Sequence, residues 1–82
     1  MSARVYITGN IGQQPEARFT QTGTATLNVS IGCTPRRKDR DSDRWEDDGA
    51  PLWITVTLWG DEAERLADVL HTGDRVSVNG IL

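Results

Sequence analysis

Apolar and polar residues alternate with a period of two along several stretches of the chain, the pattern of strands with one face in a core and one in water. The cleanest runs from Thr24 to Cys33, where Ala25, Leu27, Val29, Ile31 and Cys33 share one face and Thr24, Thr26, Asn28, Ser30 and Gly32 the other. An earlier stretch, Arg4-Val5-Tyr6-Ile7-Thr8, sets Val5 and Ile7 to one side and is then punctuated by Gly9, Gly12 and Pro15. It reads as a first strand with a bend, resumed by Ala17-Arg18-Phe19-Thr20. Gly9 and Gly12 stand where a strongly coiled barrel strand needs a residue without Cβ, although an ordinary turn explains Gly12 equally well. Gln21-Thr22-Gly23 is a tight-turn signal, so the next strand pairs antiparallel with the one before it.

The stretch Pro51-Leu52-Trp53-Ile54-Thr55-Val56-Thr57-Leu58-Trp59-Gly60 is a third strand, bounded by proline and glycine and rich in β-branched and aromatic residues. Leu52, Ile54, Val56 and Leu58 form its core face. Trp53, Thr55, Thr57 and Trp59 share the other, which sets two of the chain's three tryptophans about 20 Å apart at ~3.3 Å per residue. Exposed tryptophans on a strand serve either a subunit interface or ligand stacking, and this strand alone supports both. Next, Asp61 is placed to cap a helix, with Glu64 completing a capping box. Ala63, Leu66, Ala67 and Leu70 follow the spacing of a short amphipathic helix that plugs one end of the sheet. Gly73 suits a left-handed helix stop, and Arg75-Val76-Ser77-Val78-Asn79 alternates again with the valines inward.

Between the second and third strands, residues 34–50 are too polar to pack and too long for a simple turn, so they form a long charged loop or a splayed hairpin. Five of the nine basic residues, Arg36, Arg37, Lys38, Arg40 and Arg44, lie here, followed by Glu46, Asp47 and Asp48. The two halves can satisfy each other as solvated ion pairs. Trp45 favours another reading. An aromatic among arginines suits a strand of nucleic acid, offering a π-face to bases and cations to phosphates.

Length and composition narrow the class. Eighty-two residues make one domain with a modest core, and oligomerisation would help it. A single cysteine excludes an internal disulfide, and no apolar run is long enough for a signal peptide or a membrane span, so the expectation is a cytoplasmic protein. Cys33 closes an apolar row and reads as a small buried hydrophobe. With one histidine, His71, there is no zinc-ligand set, and neither a phosphate loop nor a serine-nucleophile elbow occurs. No metal, cofactor or enzymatic activity is expected. The net charge of −3 argues against a uniformly basic nucleic-acid binder, but the basic residues are concentrated in one segment.

Strand, strand, long loop, strand, helix, strand is the order of an OB-fold, a Greek-key β-barrel that has five strands. Gly9-Asn10-Ile11-Gly12-Gln13-Gln14-Pro15-Glu16-Ala17-Arg18-Phe19, Gly23-Thr24-Ala25, Trp53 with Leu58-Trp59-Gly60, and Leu70-His71-Thr72-Gly73-Asp74-Arg75-Val76 together resemble the bacterial and phage single-stranded DNA-binding protein family. The likeness covers essentially the whole chain. It implies that Trp53 and Trp59 stack on DNA bases, that Trp45 matches a loop tryptophan of many members, and that Arg4 matches a basic position along the DNA path. It also implies a homotetramer associated with the nucleoid, serving replication, recombination and repair. Two departures stand out. Asp61 and Thr72 occupy positions where members commonly carry basic residues, which shifts the electrostatic role to the loop arginines. The family also continues into a fifth strand and a flexible acidic-tipped tail that recruits replication and repair proteins, whereas this sequence stops at Leu82. The expectation is therefore an OB-fold without its last strand.

The reading that follows is an all-β protein with one short helix, a single OB-fold domain over residues 1–82 that binds single-stranded DNA. Trp53, Trp59 and Trp45 stack, Thr55 shares their face, and Arg4, Arg36, Arg37, Lys38, Arg40 and Arg44 meet phosphates. The rival is an OB-fold adaptor whose tryptophan face binds a protein partner.

Overall fold

A computed structural model describes residues 2–47 and 49–82, with Asp47 described by its backbone. The strands are β1 (Arg4–Ile11), β2 (Glu16–Phe19), β3 (Ala25–Cys33), β4 (Arg36–Lys38), β5 (Trp45–Asp47), β6 (Leu52–Trp59) and β7 (Arg75–Ile81), with one helix, α1 (Gly60–Ala67), between β6 and β7. The four expected strands are β1 with its continuation β2, then β3, β6 and β7. Residues 34–50 contribute the β4–β5 hairpin.

β3 is the axis of the sheet. β6 runs antiparallel along one edge of it, from Thr26↔Trp59 to Cys33↔Leu52. The other edge is shared: β2 pairs with residues 25–28, and the end of β1 pairs through Asn10↔Gly32 and Ile11↔Ile31. A chain segment that occupies one edge twice must bend between its two parts, which is the physical reason for the break between Ile11 and Glu16. Gly9 permits the crossing. A Cβ there would lie 2.8 Å from Ile31 Cγ2 and closer still to the Gly32 carbonyl oxygen. The rest of β1 pairs with β7, from Arg4↔Ile81 to Asn10↔Arg75.

Ile11, Ala25, Leu27, Val29, Ile31 and Ala63 are buried, and Val56, Leu58, Leu66, Leu70, Val76 and Val78 pack partly around them. Each fully buried Leu or Ile here contributes about 1.5–3 kcal/mol relative to exposure. The helix lies over β3 and tightens against β1 through its exit, where Gly73 N–H donates to Ile11 O at 2.8 Å and Ile11 N–H to Asp74 O at 2.9 Å. Among the described residues no strand pairs with the outer edges of β6 and β7. Between them runs a cleft of about 740 Å³ lined by apolar groups that include Ile54, Val56, Leu66, Val76 and Val78. Among the described residues the architecture is an OB-fold open along this seam.

Three local expectations change. The helix begins at Gly60, whose φ of +65° turns the chain directly from strand to helix, so Trp59 is the N-cap and no side chain caps the helix. Asp61 and Glu62 therefore sit in the first turn, where carboxylates favour the helix dipole, and no capping box forms. Gly73 does have a positive φ of 91°, but in the turn before β7 rather than at the helix end, which falls at Asp68. Leu52, expected in the core, is 61% exposed because it pairs with Cys33 at the end of the ladder, beyond the buried cluster.

Candidate nucleic-acid interface

Alternation along β6 turns Trp53, Thr55, Thr57 and Trp59 outward, all exposed, while Ile54, Val56 and Leu58 are half-buried on the inner side. The register carries this outer face across the sheet: Trp53 stands opposite Gly32, Thr55 opposite Ser30, Thr57 opposite Asn28 and Trp59 opposite Thr26. Small and polar neighbours leave both indoles open, Trp53 at 57% and Trp59 at 59% exposed. A strand built into a five-stranded sheet holds them at a fixed separation, about 20 Å at ~3.3 Å per residue.

Trp53 has a particular seat. A Cβ on Gly12 would lie 2.6 Å from its Cη2, and a Cβ on Gly32 would lie 2.9 Å from both its Cη2 and its Cζ3. The six-membered ring therefore occupies space left free by two glycines from separate segments of backbone. Gly12 is needed for this ring and not only for a turn, its N–H donating to Ser30 O at 2.9 Å in line with β3.

The β4–β5 hairpin is an arm. Its registers are Arg36↔Asp47, Arg37↔Glu46 and Lys38↔Trp45, and among the described residues it packs against no other element. Trp45 is 63% exposed, and its carbonyl accepts a hydrogen bond from Arg36 Nη2 at 3.1 Å. Arg37 pairs with Glu46 at 3.4 Å and Lys38 with Asp43 at 2.9 Å. Such exposed pairs are worth about 0–1 kcal/mol. Asp48, and the side chain of Asp47, expected as further partners for the cations, lie outside what is described. Arg40 and Arg44 make no ion pair among the described residues. At the tip, Asp39 accepts from the Asp41 N–H and the Ser42 hydroxyl, both at 3.0 Å, and these bonds hold its carboxyl below the usual value.

Arg4 lies on the same alternating face of β1 as Asn10, but six residues away and opposite Ile81. It is thus set apart from the Trp53 row by roughly 20 Å of strand. The register brings in two cations that reasoning from the sequence misses. Asn10, opposite Gly32, also pairs with Arg75, whose Nη1 donates to Asn10 Oδ1 at 3.1 Å, so Arg75 ends the Trp53 row. Arg18 pairs with Thr26 and ends the Trp59 row, its Nη2 3.2 Å from Glu16 Oε2. No local signal marks either residue, because each reaches the tryptophans only through strand pairing.

The described residues contain no helix long and apolar enough to cross a membrane and no cluster of His, Cys, Asp and Glu suited to a metal. Residues 2–82 match the sequence model described as the single-strand binding protein family. Among curated relatives, a single-stranded DNA-binding protein of Paenarthrobacter aurescens is 41% identical over 95% of this chain and 45% of its own length. Single-stranded DNA-binding protein 1 of Tropheryma whipplei is 43% identical over 100% of this chain and 44% of its own. The chain thus spans less than half the length of these relatives. A small single-stranded DNA-binding protein from Streptomyces coelicolor has a solved structure that superposes with a TM-score of 0.89 at 26% identity, over 99% of this chain and 70% of that one.

Proposed function

The chain belongs to the single-strand binding protein family, and from that premise we propose that it binds single-stranded DNA without sequence preference, as one non-enzymatic OB-fold domain. The observation that carries this reading is the pair of half-open indoles, Trp53 and Trp59, on one polar face of a strand held in the sheet. Every base has a π-face, so stacking on fixed aromatic rings, worth about 1–3 kcal/mol per base, gives affinity without sequence information. Trp45 adds a third ring on the hairpin arm. Arg36, Arg37, Lys38, Arg40 and Arg44 surround it and meet phosphates, with Arg4, Arg18 and Arg75 supplying charge along the sheet and Thr55 a hydroxyl between the two fixed rings. The net charge of −3 leaves the rest of the surface unattractive to DNA, which confines binding to these groups. Assembly into a homo-oligomer and service in replication, recombination and repair belong to the same proposal.

The test is a titration with poly(dT) followed by tryptophan fluorescence at several salt concentrations. Stacking quenches the emission, and release of counterions weakens binding as salt rises. Absence of quenching overturns the reading. Binding to a protein partner that ignores salt, without binding to poly(dT), would instead support the adaptor role.

A further inference from the structure

We infer that Gly12 and Gly32 are positioning residues for DNA binding: together they form the seat that fixes the orientation of the Trp53 ring. The inference rests on the stacking role proposed above. Glycines are required at a backbone position for two separable reasons, a left-handed conformation or a lack of room for Cβ. Gly23, Gly49, Gly60 and Gly73 have positive φ, whereas Gly12 and Gly32 do not. Their backbones therefore suit any residue, and what singles them out is space. The nearest atoms that an added Cβ would meet are in both cases Cζ3, Cη2 and Cε3 of the same Trp53 ring. Gly9 differs. Its Cβ would meet the Gly32 carbonyl oxygen and carbon, so that glycine serves the crossing of β1 over β3 and not the ring.

The consequence lies in the cost of binding. A tryptophan on an open surface samples several rotamers and must be immobilised when a base stacks on it, whereas one already lodged against backbone has less freedom to lose. Two segments build the seat. Gly32 faces Trp53 through the β3–β6 register, and Gly12 arrives from the bend just past Ile11, held by its N–H bond to Ser30 O at 2.9 Å. An alanine at either position leaves the strands intact and pushes out the ring, because the side chain yields more readily than the backbone.

The experiment compares Gly12→Ala, Gly32→Ala and Trp53→Ala, singly and in the combinations Gly12→Ala/Trp53→Ala and Gly32→Ala/Trp53→Ala, for affinity toward oligo(dT). Trp53→Ala is expected to reduce affinity about 5- to 150-fold, the range for one stacked base. Each glycine variant should show a sizeable part of that reduction, and almost nothing further once Trp53 is already alanine. A glycine effect that persists undiminished in the Trp53→Ala background would overturn the seat, as would glycine variants that bind like the parent. A second readout does not depend on DNA. In a Trp45→Phe/Trp59→Phe background, where Trp53 is the sole indole, Gly12→Ala should raise acrylamide quenching and lower fluorescence anisotropy while the far-ultraviolet circular dichroism is unchanged. Failure of the parent to bind oligo(dT) would sink the DNA reading and leave the seat to be decided by this spectroscopic arm, where unchanged quenching and anisotropy would refute it.

Discussion

The Thr57 hydroxyl donates to the Asn28 side-chain carbonyl at 2.9 Å, across the β6–β3 ladder in the stretch that separates Trp53 from Trp59. This bond joins the two strands through their outer side chains as well as their backbones, so the spacing of the two indoles is braced at both levels. It also engages polar atoms of both residues, the Thr57 hydroxyl and the Asn28 side-chain oxygen.

Trp53→Ala and Trp59→Ala are each expected to weaken binding of single-stranded DNA by about 1–3 kcal/mol, more than any single substitution in residues 34–50. Both variants should fold, since both rings are more than half exposed. Equilibrium titration with oligo(dT) and thermal unfolding of the same samples check this. Variants that unfold, or that bind as the parent does, would contradict the assignment of the face.

Replacing Arg36, Arg37 and Lys38 together by alanine should lower affinity and flatten the plot of log affinity against log salt by about 0.7 for each phosphate that is no longer neutralised. The pairs Arg37–Glu46 and Lys38–Asp43 are exposed, so they compete only weakly with DNA. A slope that stays the same would mean that these cations remain with their carboxylates in the complex.

The hairpin tip should loosen in acid. The bonds from the Asp41 N–H and then the Ser42 hydroxyl favour the ionised Asp39 and lower its folded pKa. A lowered folded value means that the ordering contribution is present above the unfolded aspartate pKa, about 3.9, and disappears as pH falls through the folded one. A nuclear magnetic resonance pH titration should show the Asp41 and Ser42 amide signals moving with a midpoint below that of a free aspartate, and Asp39→Asn should abolish the movement. A midpoint at the ordinary value would remove the effect.

Gly9→Ala should destabilise the fold by about 1–3 kcal/mol, in contrast with Gly12→Ala, because its Cβ meets the Gly32 backbone as β1 crosses β3. Urea unfolding of the two variants separates them. Equal stability would mean that the crossing relaxes without cost.

Strand faces were legible because a period of two is local: Trp53 and Trp59 turn outward whenever Ile54, Val56 and Leu58 turn in, whatever the strand pairs with. The OB-fold order, the bent first strand and the concentration of charge between Arg36 and Arg44 were legible for the same reason, each residing in contiguous residues. The capping box misleads because Asp61 has the right residue type at the right spacing, and only the positive φ of Gly60 moves the helix start ahead of it. What the tertiary structure alone decided is what lies beside each outward side chain. Gly12 and Gly32 reach the Trp53 ring, and Arg75 and Arg18 reach the ends of the two tryptophan rows, through register and through the bend that places β1 and β2 on one edge of β3. Pairing between segments tens of residues apart leaves no trace in local periodicity, since the energy that selects it comes from burying Ile11, Leu27 and Ile31 together and not from any residue's own preference.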